Sequence, residues 1–497
     1  MKRRINKVLL IYPPTTVEKQ YYVKLISLPL GIGYIAGLLK EDYDVKVLDA
    51  TAEGYNSEFT IKENPKFFRF GLDYPQIKRR VEEFSPDFVG VSCLLSLQYP
   101  AVSRICKDIK EAGKDIIVAV GGTHPSFLAE DIMHKNKDID FIVIGEGDYS
   151  IRDLLATINN GADFSKIGGL AYRNGGRVMI NPRTEFIEDI DKLPFPAREL
   201  FPLERYSTFF PFWALPTRQK TASMITSRGC PTRCIFCHSS IFWGEKCRLR
   251  SVGNVIAEME HLIGKYGIQN FHFVDDNLTF SSERAKEIFR EIIKRKLKIS
   301  WDAPNGVAIW TLDEEMIDLM KESGCRQLTF GIESGSQDVL NNIIKKPLSL
   351  KQAERIIKYV KKKKLITCGF FIFGFPGETR KNIEETVAFV KKIGLDRHIF
   401  FSATPFFGTE LYRLCKERGY IKEDFDDRYF EAVSPKFDTQ HFTRKELQKI
   451  IWRLYEYSIL KNLLKHPIIF LSIWGSIIRY KLISLFRSNA NGKIVEV

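Results

Sequence analysis

Twice along this 497-residue chain, short apolar runs alternate with helical patterns, and nothing else constrains its fold so strongly. In the first 150 residues the runs are Val8–Tyr12, Val45–Leu48, Phe88–Ser92, Ile116–Val120 and Phe141–Ile144. Strands this uniformly apolar are buried on both faces, and a helix between successive strands makes them parallel neighbours. The expectation over 1–150 is an α/β domain with a doubly wound parallel sheet, whose ligands bind at the carboxyl ends of the strands. A second series follows, at Ala222–Thr226, Asn270–Val274, Ser300–Ala303, Gln327–Gly331, Thr367–Phe373 and His398–Ala403. Helical patterns such as Ser282–Lys294 and Ser349–Lys362 separate these strands. Six such units over 221–420 predict a partial (β/α)6 barrel of TIM type, with a packed interior and a working face at the strand ends.

Residues 151–220 read as a connector. It holds an expected hairpin with an Asn-Gly turn at Asn174-Gly175, and a breaker-rich crossing at Leu193-Pro194-Phe195-Pro196. From 421 to 497 the pattern turns helical and aromatic. Ile468–Ile478 is mostly apolar but shorter than the ~20 residues that span a bilayer. Beyond it, Arg479, Lys481 and Arg487 interleave with Leu482, Ile483, Leu485 and Phe486, a pattern that suits a helix lying in a membrane interface or one packed on the barrel.

Just after the first strand of the second series stands Cys230-Pro231-Thr232-Arg233-Cys234-Ile235-Phe236-Cys237-His238. Three thiols at this spacing can hold three irons of one iron–sulfur cube, leaving the fourth iron open to a small molecule. A zinc site would need a fourth ligand, and His238 adjoins Cys237 too closely for a paired-ligand finger. The other cysteines, Cys93, Cys106, Cys247, Cys325, Cys368 and Cys415, form no second cluster of this kind. Three close cysteines do not pair evenly, and Met1-Lys2-Arg3-Arg4 leads straight into a strand, so the expected compartment is the reducing cytoplasm. The formal charge of +14 favours anionic partners, yet no nucleic-acid recognition motif accompanies it, so nucleic acid is not expected.

The second series resembles the radical S-adenosylmethionine (SAM) superfamily. Cys230, Cys234 and Cys237 match its cluster triad, on the loop after the first barrel strand. The resemblance implies a [4Fe–4S] cluster whose open iron is chelated by SAM, and cleavage of SAM to a 5′-deoxyadenosyl radical. It places Phe236 near the adenine, Asp276 of Asp275-Asp276-Asn277 near the SAM amine, and Glu333 of Gly331-Ile332-Glu333-Ser334-Gly335 near the ribose or amine. Gly374 and Gly377, in the run Gly369–Thr379, match the glycine-rich strand that borders the adenine, and Pro405–Thr409 matches the closing loop.

The first series resembles cobalamin-binding domains of flavodoxin-like topology. Their D-x-H-x-x-G, S-x-L and G-G motifs match Asp49-Ala50-Thr51-Ala52-Glu53-Gly54, Ser92-Cys93-Leu94 and Gly121-Gly122 at successive strand ends. Threonine stands at 51 where the pattern has the cobalt-ligating histidine, and a hydroxyl cannot replace imidazole in that role. The resemblance therefore implies cobalamin held without a histidine at that position, with His124 the nearest other imidazole, and the glycines leave room for the nucleotide tail.

Together the two domains resemble the class B radical SAM methyltransferases and the related anaerobic oxidative cyclases. The implied activity is modification of an unactivated carbon, with C-methylation ahead of ring formation. The substrate would be a small molecule or a lipid such as an isoprenoid, the electron donor an external flavodoxin or ferredoxin, and the location the cytoplasm or the inner membrane face. A tRNA methylthiotransferase and a cobalamin or redox sensor are the alternatives from other classes. The first would carry a second cysteine triad in the N-terminal domain, where only Cys93 and Cys106 occur, and the second has no use for the SAM motifs.

Overall fold

The computed structural model describes residues 4–19, 24, 26–183, 185–206, 215, 217, 219–422, 434–465 and 467. These fall into two compact units, one reaching Tyr206 and one holding the cysteine motif.

The first unit contains, in chain order, β1 (Lys7–Tyr12), β2 (Thr15–Glu18), β3 (Asp44–Asp49), β4 (Glu58–Thr60), β5 (Phe67–Phe70), β6 (Phe88–Ser92), β7 (Ile117–Gly121), β8 (Phe141–Val143), β9 (Leu170–Asn174) and β10 (Arg177–Asn181). Seven of them form one sheet in the order β3-β1-β6-β7-β8-β9-β10. The pairs from β3 to β8 are parallel, so the parallel strands run second, first, third, fourth, fifth along the chain. This is the flavodoxin-like order, and its switch point lies between β1 and β6. Both faces are covered. Leu9, Ile11, Val89, Val91, Val118 and Val120 share a core with Ile77, Val81, Ile105 and Ile109, which come from helices Tyr74–Phe84 and Tyr99–Ala112. Val8, Leu10, Phe88 and Val143 face Ala36, Leu39, Leu154 and Leu155 from helices Leu30–Leu39 and Asp148–Asn160.

The hairpin of the 151–220 stretch extends this sheet through the antiparallel pair β8–β9. Its turn is Gly175-Gly176 rather than Asn-Gly, since Asn174 is already paired with Arg177. Both glycines have positive φ, +55° and +82°, as a two-residue turn matching the strand twist requires. The remaining strands, β2, β5 and β4, make a small antiparallel sheet with no counterpart in the sequence reading. At three or four residues each they are too short to show a period.

The second unit contains β11 (Thr221–Met224), β12 (Ser227–Arg228), β13 (Arg248–Leu249), β14 (Asn270–Phe273), β15 (Ser300–Asp302), β16 (Cys325–Glu333), β17 (Ile366–Phe373) and β18 (Arg397–Ser402). Six of these pair in chain order, β11-β14-β15-β16-β17-β18, and all the pairs are parallel. Outward side chains meet the helices: Trp301 stacks on Phe289 of helix Ser282–Lys294 at 4.9 Å, and Phe371 and Phe373 are wholly buried. Over its lower part the interior is packed with polar pairs. Ser300 bonds Asn270, His272 Nδ1 bonds Asp302, and Arg397 donates to Gln327 Oε1 at 2.8 Å. The helical pattern read over Ser349–Lys362 is helix Leu350–Lys362, with Ser349 as its N-cap, and Arg444–Lys465 forms a helix in the C-terminal region. The interfacial segment expected from Ile468 onward, with Phe470, Trp474, Ile478, Arg479, Lys481, Leu482, Ile483, Leu485, Phe486 and Arg487, lies outside the described residues. Among the described residues no helix is long and apolar enough to cross a membrane.

Candidate functional site

The cysteine loop is clamped at its base. β12 and β13 flank it as an antiparallel pair, with Arg228 opposite Arg248. Asp275, buried at the end of β14, accepts from the Thr226 N–H at 3.0 Å, the Thr226 hydroxyl at 2.8 Å and the Ser227 hydroxyl at 2.5 Å. Within the loop, Ile235 donates its N–H to the Ile344 carbonyl and accepts from Leu411 N–H. A carbonyl can only accept, so the Nε2–H of His238 donates to the Phe407 carbonyl, at 2.7 Å. His238 is thereby tied to the Pro405–Thr409 loop, and burial lowers its pKa, keeping it neutral.

The triad cysteines are all free thiols. Burial pushes Cys234 up to about 11 and Cys237 up to about 12. Cys234 and Cys237, in electrostatic reach of each other and of Cys230, are well suited to metal, because iron displaces a proton that their surroundings hold on. Ser239 N–H points at Cys237 Sγ at 3.4 Å, a contact that tunes a bound cluster. Among the described residues no three His, Cys, Asp or Glu side chains gather as ligands of one ion. A cube makes a different demand, one bond from each thiol to a separate iron.

Two carboxylates and one ammonium face the triad. Glu333 ends β16 with a left-handed φ of +65° and pairs with Lys346 Nζ at 2.8 Å, and both side chains are about nine-tenths buried. Lys346 lies in electrostatic reach of Cys234 and Cys237 and 5.6 Å from the Trp310 ring centroid. Asp276 remains solvent-accessible yet densely surrounded, as a residue lining a concavity is, and burial raises its pKa against the Gly229 N–H and Ser239 hydroxyl. Phe236 packs against Phe375, ring centroids 5.9 Å apart. Gly374 and Gly377 have φ of +89° and +94°. The loop they border wraps the buried Glu378, whose carboxylate accepts from the N–H groups of Gly374 (2.6 Å) and Phe375 (3.2 Å) and is pushed by burial to about 7. Leu447 backs Gly374 so closely that an added Cβ would overlap it.

In the first unit the three motifs lie at the carboxyl ends of β3, β6 and β7, on either side of β1. Asp49 caps helix Ala50–Glu53 through Ala52 N–H at 2.8 Å and accepts from the Tyr206 hydroxyl at 2.8 Å. Burial raises Asp49 to about 6. Thr51 is buried, donates to the Pro13 carbonyl at 2.7 Å and accepts from Thr15 at 2.9 Å, so it ties down the loop after β1. His124 is equally committed: it is buried, its Nδ1 is 2.9 Å from the Ser96 hydroxyl, its ring lies 4.9 Å from Tyr99, and burial lowers its pKa to about 4. Ser92 pairs with Gly121 at the strand ends, and beside them Leu94 and Leu95 are 44% and 57% exposed. Two bare leucines at a switch point offer an apolar bed to a flat ligand. The glycines act differently from the expectation. A Cβ on Gly54 would overlap the Gly71–Leu72 backbone, and one on Gly122, whose φ is +119°, would overlap the Cys93 carbonyl. Both serve the chain's own packing. Only Gly121 has room, its nearest neighbour being Val143 Cβ at 3.6 Å.

Residues 224–390 match the family model of the radical SAM superfamily, and residues 22–155 match that of the B12 binding domain. The chain is 34% identical over 448 residues to cytidylyl-2-hydroxyethylphosphonate methyltransferase of Streptomyces wedmorensis, covering 84% of this chain and 83% of the relative. The chain belongs to the cobalamin-binding radical SAM family. A second member of this cobalamin-binding radical SAM family, anaerobic magnesium-protoporphyrin IX monomethyl ester cyclase of Rubrivivax gelatinosus, is 26% identical, over 88% of this chain and 75% of its own. Among solved structures, radical SAM methyltransferase TsrM of Kitasatospora setae, with cobalamin and a [4Fe–4S] cluster bound, superposes with a TM-score of 0.65 at 20% identity, covering 84% of this chain and 76% of that one. The chain is a radical SAM enzyme, and its family's cofactors are a [4Fe–4S] cluster, SAM and cobalamin.

For a cobalamin-binding radical SAM enzyme the donor sets fit: three free thiols for the cluster, one buried and two half-buried, carboxylates and an ammonium for a zwitterionic sulfonium, and an apolar bed at the switch point for the corrin. Sequence reasoning missed three residues of these sites. Lys346 reads as surface charge beside Lys345 and Pro347, Tyr206 lies in an aperiodic connector, and Glu378 passes as a helix-start acid. The only available signal was the placing of Glu378 inside a glycine-rich run.

Proposed function

We propose that this enzyme transfers a methyl group to an unactivated carbon in an apolar, lipid- or isoprenoid-like part of its substrate. When bound, the three cofactors supply hydrogen abstraction and a transferable methyl group. The chain's own residues do the rest. Cys230, Cys234 and Cys237 would hold the cluster. Glu333 and Asp276 would meet the cationic end of SAM, Lys346 its carboxylate, and Phe236 its adenine. Asp49, Thr51, Gly54, Ser92, Leu94, Gly121 and Gly122 shape the cobalamin end. With Thr51 and His124 both committed to protein partners, no imidazole is on offer to cobalt from these positions. An external flavodoxin or ferredoxin would supply the electron, since the cysteines outside the triad form no second C-x3-C-x2-C motif.

One observation carries the substrate class. Along β17 and β18 the outward Phe371, Phe373 and Phe400 are fully buried, whereas the alternate residues Phe370, Ile372, Ile399 and Phe401 keep some exposure. Phe370 and Phe401 meet edge to face at 5.7 Å. Phe370 and Phe401 are the half-buried pair of this apolar inward row, and an apolar substrate segment against them would cover the surface they leave exposed. Similarity to a methyltransferase over most of both chains supports methyl transfer.

The test incubates reduced, reconstituted enzyme with methyl-labelled SAM and a lipid extract. Labelled methyl in a chloroform-soluble product supports the reading, and label found only in water-soluble products removes the lipid half of it. A second reading, oxidative ring formation, is favoured by the similarity to the cyclase. It would give a product that carries no new methyl group.

A further inference from the structure

We propose that the outer face of helix Arg444–Lys465 is a docking surface for an anionic lipid bilayer. The proposal goes beyond methyl transfer and does not depend on it. The inner face of the helix is fixed against the barrel: Leu447, Ile451 and Leu454 are buried, Ser458 bonds His398 Nδ1 at 3.0 Å, and the Tyr455 hydroxyl donates to the Phe400 carbonyl at 2.9 Å. Its outer face is therefore held outward.

That face changes character along its length. Lys445, Lys449 and Arg453 are exposed over the first turns, Trp452 (51% exposed) stands among them, and Leu460, Leu463 and Leu464 (59%, 42% and 75%) occupy the last turns. A lone exposed leucine needs no explanation, but three within five residues form a patch. Lys465 is exposed beside it, and two more ammonium groups lie behind it at Gly394: the Lys361 Nζ donates to the Gly394 carbonyl at 3.0 Å, and the Lys461 Nζ is buried next to it. Lys465 and Lys361 help burial to pull Lys461 down to about 8, a sign of local positive potential. The carboxylates nearby are Glu456 on the same face, Glu446 in the first turn, which is spent on Arg380 at 2.9 Å and on Thr443, and Asp396, which is spent on Thr367.

The face of a stable protein–protein contact is depleted in lysine at its centre, whereas here a basic stretch runs directly into an apolar one that ends on Lys465. An interface helix has that composition, with leucines entering the acyl boundary, tryptophan at the headgroups and lysines reaching the phosphates. The sequence beyond Lys465 again joins an apolar run, Ile468–Ile478, to a stretch where Arg479, Lys481 and Arg487 stand among apolar residues.

The test is flotation of the full-length protein with vesicles of phosphatidylcholine containing phosphatidylglycerol, and with phosphatidylcholine alone. The protein should float with the anionic vesicles and stay down with the neutral ones. Leu460→Glu/Leu464→Glu should lower partitioning by at least about tenfold while melting as the wild type does, because both side chains are already exposed. Lys445→Glu/Lys449→Glu, which leaves every apolar contact in place, should lower it as well. Wild-type protein that stays down with both vesicle types overturns the proposal. So does a leucine variant that floats unchanged, or a leucine variant that turns a dimer into a monomer when no form of the protein floats.

Discussion

Asp49→Asn should stabilise the first unit at neutral pH, and the size of the effect follows from the site. The Asp49 carboxyl is buried and raised to about 6, against about 3.9 for an unfolded aspartate. A folded pKa above the unfolded one means that folding disfavours the ionised form. Stability from the neutral acid is thus fully present below pH ~4 and is lost as pH rises through about 6. The loss amounts to about 1.5 kcal/mol at pH 5 and about 2.9 kcal/mol at pH 8. Asparagine does not titrate, keeps an oxygen for Ala52 N–H and turns its amide toward the Tyr206 oxygen. All six tryptophans lie beyond residue 207, so fluorescence does not report on this unit. Hydrogen exchange of corrinoid-free protein, read by mass spectrometry on peptides from β1 and β3, does report on it. The opening free energy of the variant minus that of the wild type should grow by about 1.4 kcal/mol between pH 5 and pH 8. Tyr206→Phe, which removes a donor to the carboxylate, should increase the wild-type pH dependence. A difference that stays flat across this range would refute burial as the cause of the raised pKa.

Replacing Cys230, Cys234 and Cys237 together with alanine should leave reconstituted protein without its ~four irons and without SAM cleavage; 5′-deoxyadenosine from the triple variant would remove the cluster assignment. Gly122→Ala should cost about 2–3 kcal/mol, read as a lower melting temperature, because its positive φ and the Cys93 carbonyl leave a Cβ no place. Gly121→Ala should melt like the wild type, so any loss of hydroxocobalamin binding in that variant reports on the ligand rather than the fold. Lys346→Met should destabilise the second unit by about 3–5 kcal/mol by stranding the buried Glu333 carboxylate, and the double variant Lys346→Met/Glu333→Gln should recover most of that in a melting experiment.

The two series of strands and the cysteine triad were legible in the sequence because their signals are local. An all-apolar run of strand length, a helical period and a thiol spacing each lie within twenty residues, so β6 falls on Phe88–Ser92 and a helix on Ser282–Lys294 as read. The sequence alone also showed that threonine replaces histidine at position 51. Only the tertiary structure decided what distant residues do for one another. The pairing of β1 with both β3 and β6 sets the switch point, and no window of sequence contains it. The Thr51 hydroxyl meets a carbonyl 38 residues away, Tyr206 meets Asp49 across 157, and Lys346 is a site residue because the chain folds it onto Glu333. Gly54 and Gly122 looked like room for a ligand and proved to be room for the backbone itself, since a glycine in sequence does not say which neighbour needs the space. Periodicity records which face of an element is buried; what it is buried against, and therefore which polar groups find partners in a low dielectric, belongs to the folded chain.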